Sequence, residues 1–187
     1  MTTIIGISGS LRRESFNTAL LRAAVALMPA DIELEIASIQ HIPLYNGDLE
    51  GEGIPAAVSA LKDRIAGAAG LLLCTPEYNN SIPGVMKNAI DWLSRPADDI
   101  ARVFGDKPVA IMGASPGPYG TQLSQNAWLA VLRTLRTQPW FGGRLMVARA
   151  GSAFNDQGDL VDEKVRGQLR QFVEGFSQVA RSNRNAS

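Results

Sequence analysis

Residues 4–17 have the sequence IIGISGSLRRESFN, an apolar strand that leads into a loop of glycine, serine, arginine and asparagine. We expect a helix to begin between Ser15 and Thr18, directly after this loop. Loop donors and a helix N-terminus then converge at the carboxyl end of a strand, which is how α/β proteins build anion sites. The spacing fits neither Gly-x-Gly-x-x-Gly nor the phosphate loop that ends in Gly-Lys-Ser/Thr. The segment therefore predicts a phosphate site that neither standard nucleotide fingerprint explains.

Composition limits the classes of protein to which the chain can belong. Its 187 residues suit one domain over residues 1–187, with 182–187 expected to form a flexible tail. Eighteen basic residues balance eighteen acidic ones, so no net field attracts nucleic acid. The apolar runs are too short to cross a bilayer, and no signal peptide is visible. One cysteine and one histidine provide neither a disulfide framework nor a soft-metal site, so we expect a cytoplasmic protein without metal, membrane or nucleic-acid partners.

Strand and helix signals alternate along the whole chain. The predicted strands cover residues 3–8, 32–37, 70–75, 108–114 and 144–148. The predicted helices cover residues 17–28, 54–69, 83–93, 121–136 and 162–181, and residues 41–53 and 95–106 are expected to be loops. Right-handed crossovers imply a parallel sheet with helices on both faces. We predict a flavodoxin-like three-layer α/β fold with five strands in the order 2-1-3-4-5, whose switch point lies between strands 1 and 3.

The first loop carries a set of donors that suits a phosphate monoester. Ser10 and Ser15 offer hydroxyls, Asn17 offers an amide, and Arg12 or Arg13 offers charge-assisted contacts. The alternative is structural: Ser15 or Asn17 caps the helix and the arginines are solvated. The combination of these residues directly after strand 1 favours the phosphate site.

The second loop, TPEYNN at residues 75–80, follows the buried third strand. A rigid loop of this kind can bond the polar edge of a flavin through its backbone, while the Tyr78 ring packs beside it. We expect Glu77 to pair with a cation. The alternatives are an ordinary half-buried tyrosine and a surface glutamate. Cys74 ends the apolar strand without a cationic neighbour, which favours a structural role over a redox role.

Three motifs resemble the NAD(P)H-dependent FMN reductase family: GSLRxxSxN at residues 9–17, TPEYN at 75–79 and PGxxKNAIDW at 83–92. The resemblance covers essentially the whole chain in element order. It implies an FMN phosphate held by Ser10, Arg12, Ser15 and Asn17, with Phe16 contributing backbone. It implies an isoalloxazine ring flanked by Pro76, Glu77, Tyr78 and Asn79. A third loop, GASPGPYGT at residues 113–121, matches the glycine-rich loop beside the ring and adds Ser115 and Gly117 to the cofactor site.

The same resemblance implies an enzyme that uses FMN with NADPH or NADH as co-substrate. Electrons then pass to a small-molecule acceptor: a quinone, an azo compound, a metal oxyanion such as chromate, or free flavin. Because the chemistry occurs on the flavin, no side chain is assigned as a catalytic acid or base. The lack of a second nucleotide motif predicts one shared site and ping-pong kinetics.

The resemblance further implies a homodimer or homotetramer, with the helix around residues 87–92 as the dimer element. Within that helix, Trp92 has a second interpretation as a core residue. Two other functions stay open. One is a flavodoxin-like electron carrier that serves protein partners, although such carriers tend to be acidic and this chain is neutral. The other is a non-redox phosphate-binding module of the same fold.

Overall fold

A computed structural model describes residues 1–186 as a parallel sheet with helices on both faces. The strands are β1 (Thr2–Ser8), β2 (Ile32–Ala37), β3 (Gly70–Cys74), β4 (Pro108–Ala114), β5 (Gln138–Pro139) and β6 (Leu145–Val147). The helices are α1 (Phe16–Val25), α2 (Gly47–Glu52), α3 (Ala56–Gly67), α4 (Gly84–Leu93), α5 (Ile100–Phe104), α6 (Gln122–Thr134) and α7 (Glu163–Ala186). Helix α7 continues through most of the segment that was expected to be a tail, and residue 187 lies outside the described residues.

The strand order β2-β1-β3-β4 confirms the predicted flavodoxin-like topology, and every strand pair is parallel. At the far edge, β6 is the predicted fifth strand, and β5 is an additional two-residue strand that was not predicted; both pair with β4. Trp140 directly follows β5, and its indole packs against Phe172 and Phe176 of α7. A Cβ atom added to Gly142 or Gly143 would lie 2.5 or 2.7 Å from that indole ring, so the backbone bends around it.

Each face of the sheet has its own hydrophobic core. Helices α1 and α7 cover one face, where Leu20, Leu21 and Phe176 are fully buried. Helices α3, α4, α5 and α6 cover the other face. All residues of β3 are buried, as a continuous apolar run in a central parallel strand predicts. Both layers therefore hold the carboxyl ends of β1, β3 and β4 in fixed positions.

Two segments that were predicted to be loops contain helices. Helix α2 lies within residues 41–53, where the Asn46 side chain accepts a bond from the Asp48 backbone N–H at 3.0 Å. Trp92 anchors this segment, because its indole Nε1 donates to the Pro43 carbonyl at 2.9 Å. Trp92 is fully buried, which confirms the interpretation as a core residue. Helix α5 lies within residues 95–106, and the expectation of a loop there is also wrong.

None of the helices in the described part of the chain combines the length and hydrophobicity of a membrane-spanning segment. The same residues contain no group of three or more His, Cys, Asp or Glu side chains that could hold a metal ion.

A charged cluster fastens α3 to the segment before α5. The Lys62 ammonium is buried, lies 2.5 Å from an Asp99 carboxylate oxygen and also donates to the Arg95 carbonyl. The Arg102 guanidinium donates to Asp99 at 2.6 Å and to Asp63 at 2.9 Å. The bond from Arg102, followed by the bond from Lys62, holds the pKa of the Asp99 carboxyl well below its usual range.

This cluster predicts an acid-sensitive contribution to stability. Because the pKa of Asp99 is depressed in the folded state, its contribution is complete above the unfolded value of 3.8 and is lost as the pH falls below it. We expect Asp99→Asn to lower the free energy of unfolding at neutral pH by on the order of 1 kcal/mol and to flatten its decline in acid. Denaturant titrations at several pH values measure this. Asp98→Asn, at the exposed neighbouring carboxylate, is the control, and an equal effect there would contradict the assignment.

Candidate flavin site

The loops after β1, β3 and β4 meet at the carboxyl edge of the sheet and enclose a cavity of about 420 Å³. Its lining comprises Ser10, Arg12, Ser15, Phe16, Asn17, Pro76, Glu77, Tyr78, Ala114, Ser115 and Pro116. Of the residues predicted for the cofactor site, all line this cavity except Asn79 and Gly117. The topology therefore brings together three loops that are far apart in sequence.

The first two loops touch directly through a glycine. A Cβ atom on Gly9 would lie 2.8 Å from Pro76 Cδ and 2.7 Å from Met86 Sδ, so no larger residue fits there without a shift. The Tyr78 hydroxyl also reaches across and donates to Ser10 Oγ at 3.4 Å. These contacts fix the distance between the predicted phosphate end and the predicted ring end of the cavity.

Ser15 caps helix α1. Its Oγ accepts the backbone N–H groups of Asn17 at 3.2 Å and Thr18 at 3.4 Å. The structural interpretation of Ser15 is therefore present in the fold, and the residue also lines the cavity. A capped helix N-terminus carries a positive partial charge, which favours an anion beside it.

Arg12 brings the cationic group of the first loop to the cavity rim. Its guanidinium carbon lies 5.4 Å from the centre of the Phe16 ring, a cation–π contact. Phe16 in turn stacks on Phe154 with ring centres 5.8 Å apart. The arginine side chain is thus supported on an aromatic pair.

Asn17 has its side-chain amide committed to the core. Its Nδ2 donates to the Ala114 carbonyl at 2.9 Å, and its Oδ1 accepts the Ala114 N–H at 2.9 Å. Cys74 Sγ makes a further contact with the same Oδ1 at 3.5 Å. The structure therefore places this amide as a clamp between α1 and the end of β4. The predicted contact between Asn17 and the phosphate stays a prediction, and the backbone of Asn17 is the part that is not engaged with Ala114 through these bonds.

The tip of the second loop is a tight hairpin. Tyr78 and Ser81 exchange backbone bonds at 3.2 and 3.0 Å, and the two residues between them have positive φ angles, 49° at Asn79 and 60° at Asn80. Asparagine tolerates this left-handed conformation better than most residues. Asn79 therefore shapes the turn from outside the cavity.

Glu77 bonds a helix rather than a cationic side chain. Its Oε2 accepts the backbone N–H groups of Leu123 at 2.8 Å and Ser124 at 3.0 Å, in the first turn of α6. The expectation of a cationic side-chain partner was wrong, because unpaired N–H groups and the positive end of the helix dipole bind the carboxylate instead. Glu77 thus ties the second loop to the helix that follows the third loop.

A buried hydroxyl cluster below the loops was not found from the sequence. Thr75 Oγ1 lies 2.9 Å from Ser124 Oγ and accepts the Trp128 indole N–H at 3.1 Å. Ser124 and Trp128 are spaced i and i+4, so they share one face of α6. That spacing could have shown that Ser124 and Trp128 lie on one face of α6, but nothing in the sequence showed that this face covers the end of β3.

The third loop is held by the segment after β6. Ser115 Oγ accepts the Gly117 N–H at 3.1 Å, and the Ser115 carbonyl accepts the Ala150 N–H at 3.0 Å. The Gly117 carbonyl accepts the Arg149 N–H at 2.9 Å. Gly117 therefore shapes the loop without lining the cavity, and Tyr119 in the same loop is 80% exposed.

Cys74 lies below the cavity and is fully buried. Burial raises the pKa of its thiol well above the usual value, which keeps the group neutral. The structural role predicted for this cysteine is consistent with both observations.

The donor set fits FMN. The Ser10 hydroxyl, the Arg12 guanidinium and the start of α1 offer hydrogen bonds and positive charge at one end of the cavity. Pro76, Tyr78 and the backbone near Ser115 offer flat apolar surface with polar groups at the other end. A phosphate and an aromatic ring system with one polar edge need these two environments.

The family model described as NADPH-dependent FMN reductase matches residues 2–152. The chain belongs to this family. The resemblance drawn from the three motifs is thereby confirmed. An NAD(P)H-dependent FMN reductase of Pseudomonas aeruginosa is 43% identical over 173 residues, which cover 92% of each protein. A 2-hydroxy-1,4-benzoquinone reductase of a Burkholderia species is 38% identical over 184 residues, covering 95% of this chain and 96% of the relative.

Among solved structures, the NAD(P)H:(acceptor) oxidoreductase FerB of Paracoccus denitrificans superimposes with a TM-score of 0.87 at 33% identity. The match covers 98% of this chain and 99% of that protein. The structural match to FerB therefore includes the part of this chain that follows residue 152, where the family-model match ends.

Proposed function

We propose that this protein is an FMN-dependent NAD(P)H oxidoreductase that reduces quinones. The observation that carries the proposal is that the first loop, with Arg12, and the second loop, with Tyr78, line the same cavity. Its family, and relatives that are named FMN reductase, benzoquinone reductase and quinone reductase, support the same activity. Azo compounds, metal oxyanions such as chromate, and free flavin are further acceptors in this proposal.

When bound, FMN supplies the two-electron redox chemistry. The residues of the chain bind and orient it. Ser10 and Arg12 would hold the phosphate at the capped start of α1, and Pro76 and Tyr78 would lie against the ring. Glu77 acts indirectly, because its bonds to α6 keep the second and third loops at a constant separation.

We expect ping-pong kinetics, because the chain has no second nucleotide motif and the nicotinamide and the quinone would therefore use the same face of the flavin in turn. Initial rates measured against NADPH at several quinone concentrations should give parallel double-reciprocal lines. Intersecting lines would show that both substrates bind together and would exclude a single shared position.

Arg12→Ala should weaken FMN binding by roughly 1.5–3 kcal/mol, because a charge-assisted contact to the phosphate is lost. Flavin titration followed by fluorescence quenching measures the dissociation constant. Arg13→Ala, at the next residue, is the matched control and should leave FMN affinity unchanged. The reverse pattern would move the phosphate contact from Arg12 to Arg13.

The visible spectrum of the purified protein separates the enzyme from its alternatives. Bound flavin that is bleached rapidly by NADPH or NADH and recovers on addition of quinone supports the enzyme. Bound flavin that reacts only slowly with both nicotinamides would indicate an electron carrier, and a colourless protein that takes up no FMN would indicate a phosphate-binding module.

The proposal includes a homodimer or homotetramer located in the cytoplasm. An apolar recess of about 340 Å³ between α4 and α6, lined in part by Ile90, Val131 and Leu135, supports a helical interface. The Lys87–Asp91 ion pair, at 2.7 Å, lies beside it on α4. Light scattering of the purified protein tests the oligomeric state.

A further inference from the structure

A second cavity adjoins the candidate flavin site on the other side of Arg12. It has a volume of about 470 Å³ and lies between residues 12–22, which include most of α1, and residues 151–158. Arg12, Ser15 and Phe16 line both cavities, so the two spaces are contiguous at the predicted phosphate end of the flavin. A ligand bound over the first cavity would enter the second one past Arg12, at the phosphate end.

The rim of the second cavity has an excess of positive charge. Arg12, Arg13 and Arg22 line it together with two carboxylates, Glu14 and Asp156. Of the ion pairs among residues that the structure describes, none includes Arg13 or Arg22. Glu14 and Asp156 are not in those ion pairs either, so the surplus is one positive charge, and Arg13 and Arg22 are available to an anionic ligand.

Helix geometry explains how Arg22 can line the same cavity as Arg12 and Arg13. Arg22 lies six residues after Phe16 in α1, about 9 Å along the axis at 1.5 Å per residue. Long side chains on a helix point back towards its N-terminus, which brings the Arg22 guanidinium towards the first loop. Arg12 and Arg13 approach from the other side. Their planar guanidinium groups can each donate two parallel bonds to a phosphate.

Apolar side chains form part of the wall of the second cavity. They are Phe16 and Phe154, whose rings stack with centres 5.8 Å apart and an interplanar angle of 26°, together with Ala19. Gly158, on the opposite wall, has a φ of +82°. A Cβ atom added to it would lie 3.9 Å from the Cβ atom of Ala19, so the two walls approach each other there. A wall of mixed polar and apolar groups with arginines at its edge can accommodate a nucleoside that carries a phosphate.

We propose that this cavity binds the adenosine 2′-phosphate end of NADPH, with Arg13 and Arg22 as the residues that distinguish NADPH from NADH. The inference rests on the proposed function, because the nicotinamide must lie at the flavin ring in the first cavity. The 2′-phosphate is a monoester of about two negative charges, whereas the same position in NADH is a neutral hydroxyl. Arginines near that position therefore favour NADPH and gain nothing from NADH.

The kinetic test uses the FMN-loaded enzyme with Arg13→Ala, Arg22→Ala and the double variant. Each substitution should raise KM for NADPH roughly tenfold, as the loss of one charge-assisted contact predicts, and should leave KM and kcat for NADH within about twofold. Arg133→Ala, an exposed arginine of α6 on the opposite face of the sheet, is the control. Equal effects on both nicotinamides, or no effect on NADPH, would overturn the proposal.

A binding measurement gives a second readout that does not depend on turnover. Calorimetric titration with 2′,5′-ADP should show weaker binding to both arginine variants, whereas binding of 5′-AMP, which lacks the 2′-phosphate, should be unchanged. FMN affinity must also be unchanged, since its loss would assign the two arginines to the flavin phosphate. Failure of the proposed function looks different: the wild-type protein would then oxidise neither NADPH nor NADH.

Discussion

Gly113→Ala will destabilise the protein by about 3 kcal/mol and will release bound flavin, because overpacking at this position cannot relax cheaply. A Cβ atom at Gly113 would lie 2.1 Å from the Thr75 carbonyl oxygen and 2.4 Å from Thr121 Oγ1. The first of these is a backbone atom at the start of the second loop, and the second belongs to the residue that precedes α6. The alanine therefore forces two of the three cofactor loops away from β4.

Two measurements test this result, denaturant unfolding of the flavin-free protein and retention of FMN after gel filtration. Gly167→Ala is the control, because Gly167 lies within α7 and an added Cβ atom there has nothing within 4 Å. That variant should be more stable by up to about 1 kcal/mol, as alanine has the higher helix propensity. A Gly113→Ala protein with wild-type stability would contradict the prediction, because it would show that β4 can move to accommodate the methyl group.

The sheet order could be predicted from the sequence because it depends on local patterns. The buried run in β3 and the alternating signals on either side require a parallel sheet, and the crossover rule then limits its topology. The additional strand β5 was not predicted, because two residues carry no recognisable pattern. The close approach of the Trp140 indole to Gly142 and Gly143, in the segment between β5 and β6, is likewise a matter of three-dimensional packing. Helix α2 was missed because its anchor, Trp92, lies on a different helix.

In the candidate site, too, features that depend on a local motif were predictable, and features that depend on residues distant in sequence were not. The residues of the first two loops are contiguous motifs, so their place at the cavity follows once β1 and β3 are neighbours. The partner of Glu77 lies 46 residues away, at the start of α6. A sequence shows that a carboxylate in a packed loop needs a donor, but it does not show whether that donor is a side chain or a helix end.

For Asn17, the family resemblance and the contacts in the structure lead to opposite predictions. If its amide holds the flavin phosphate, Asn17→Ala weakens FMN binding and leaves the stability of the flavin-free protein unchanged. If the amide is the clamp that the structure shows, the substitution leaves the Ala114 N–H and carbonyl without partners in the interior. Each unsatisfied buried group costs about 1–3 kcal/mol, so the clamp predicts a loss of roughly 2–5 kcal/mol in the free energy of unfolding.

We expect the second result, because Asn17 is 3% exposed and its amide bonds both backbone groups of Ala114 at 2.9 Å. Urea unfolding of the flavin-free variant measures the loss directly. Arg12→Ala is the converse control, since its exposed side chain should affect FMN affinity and not the flavin-free stability. A stable Asn17→Ala protein that no longer binds FMN would refute the clamp. An unstable one would show that this asparagine belongs to the sequence motif because it joins α1 to β4, and thereby sets the positions of the two loops on either side of the cofactor.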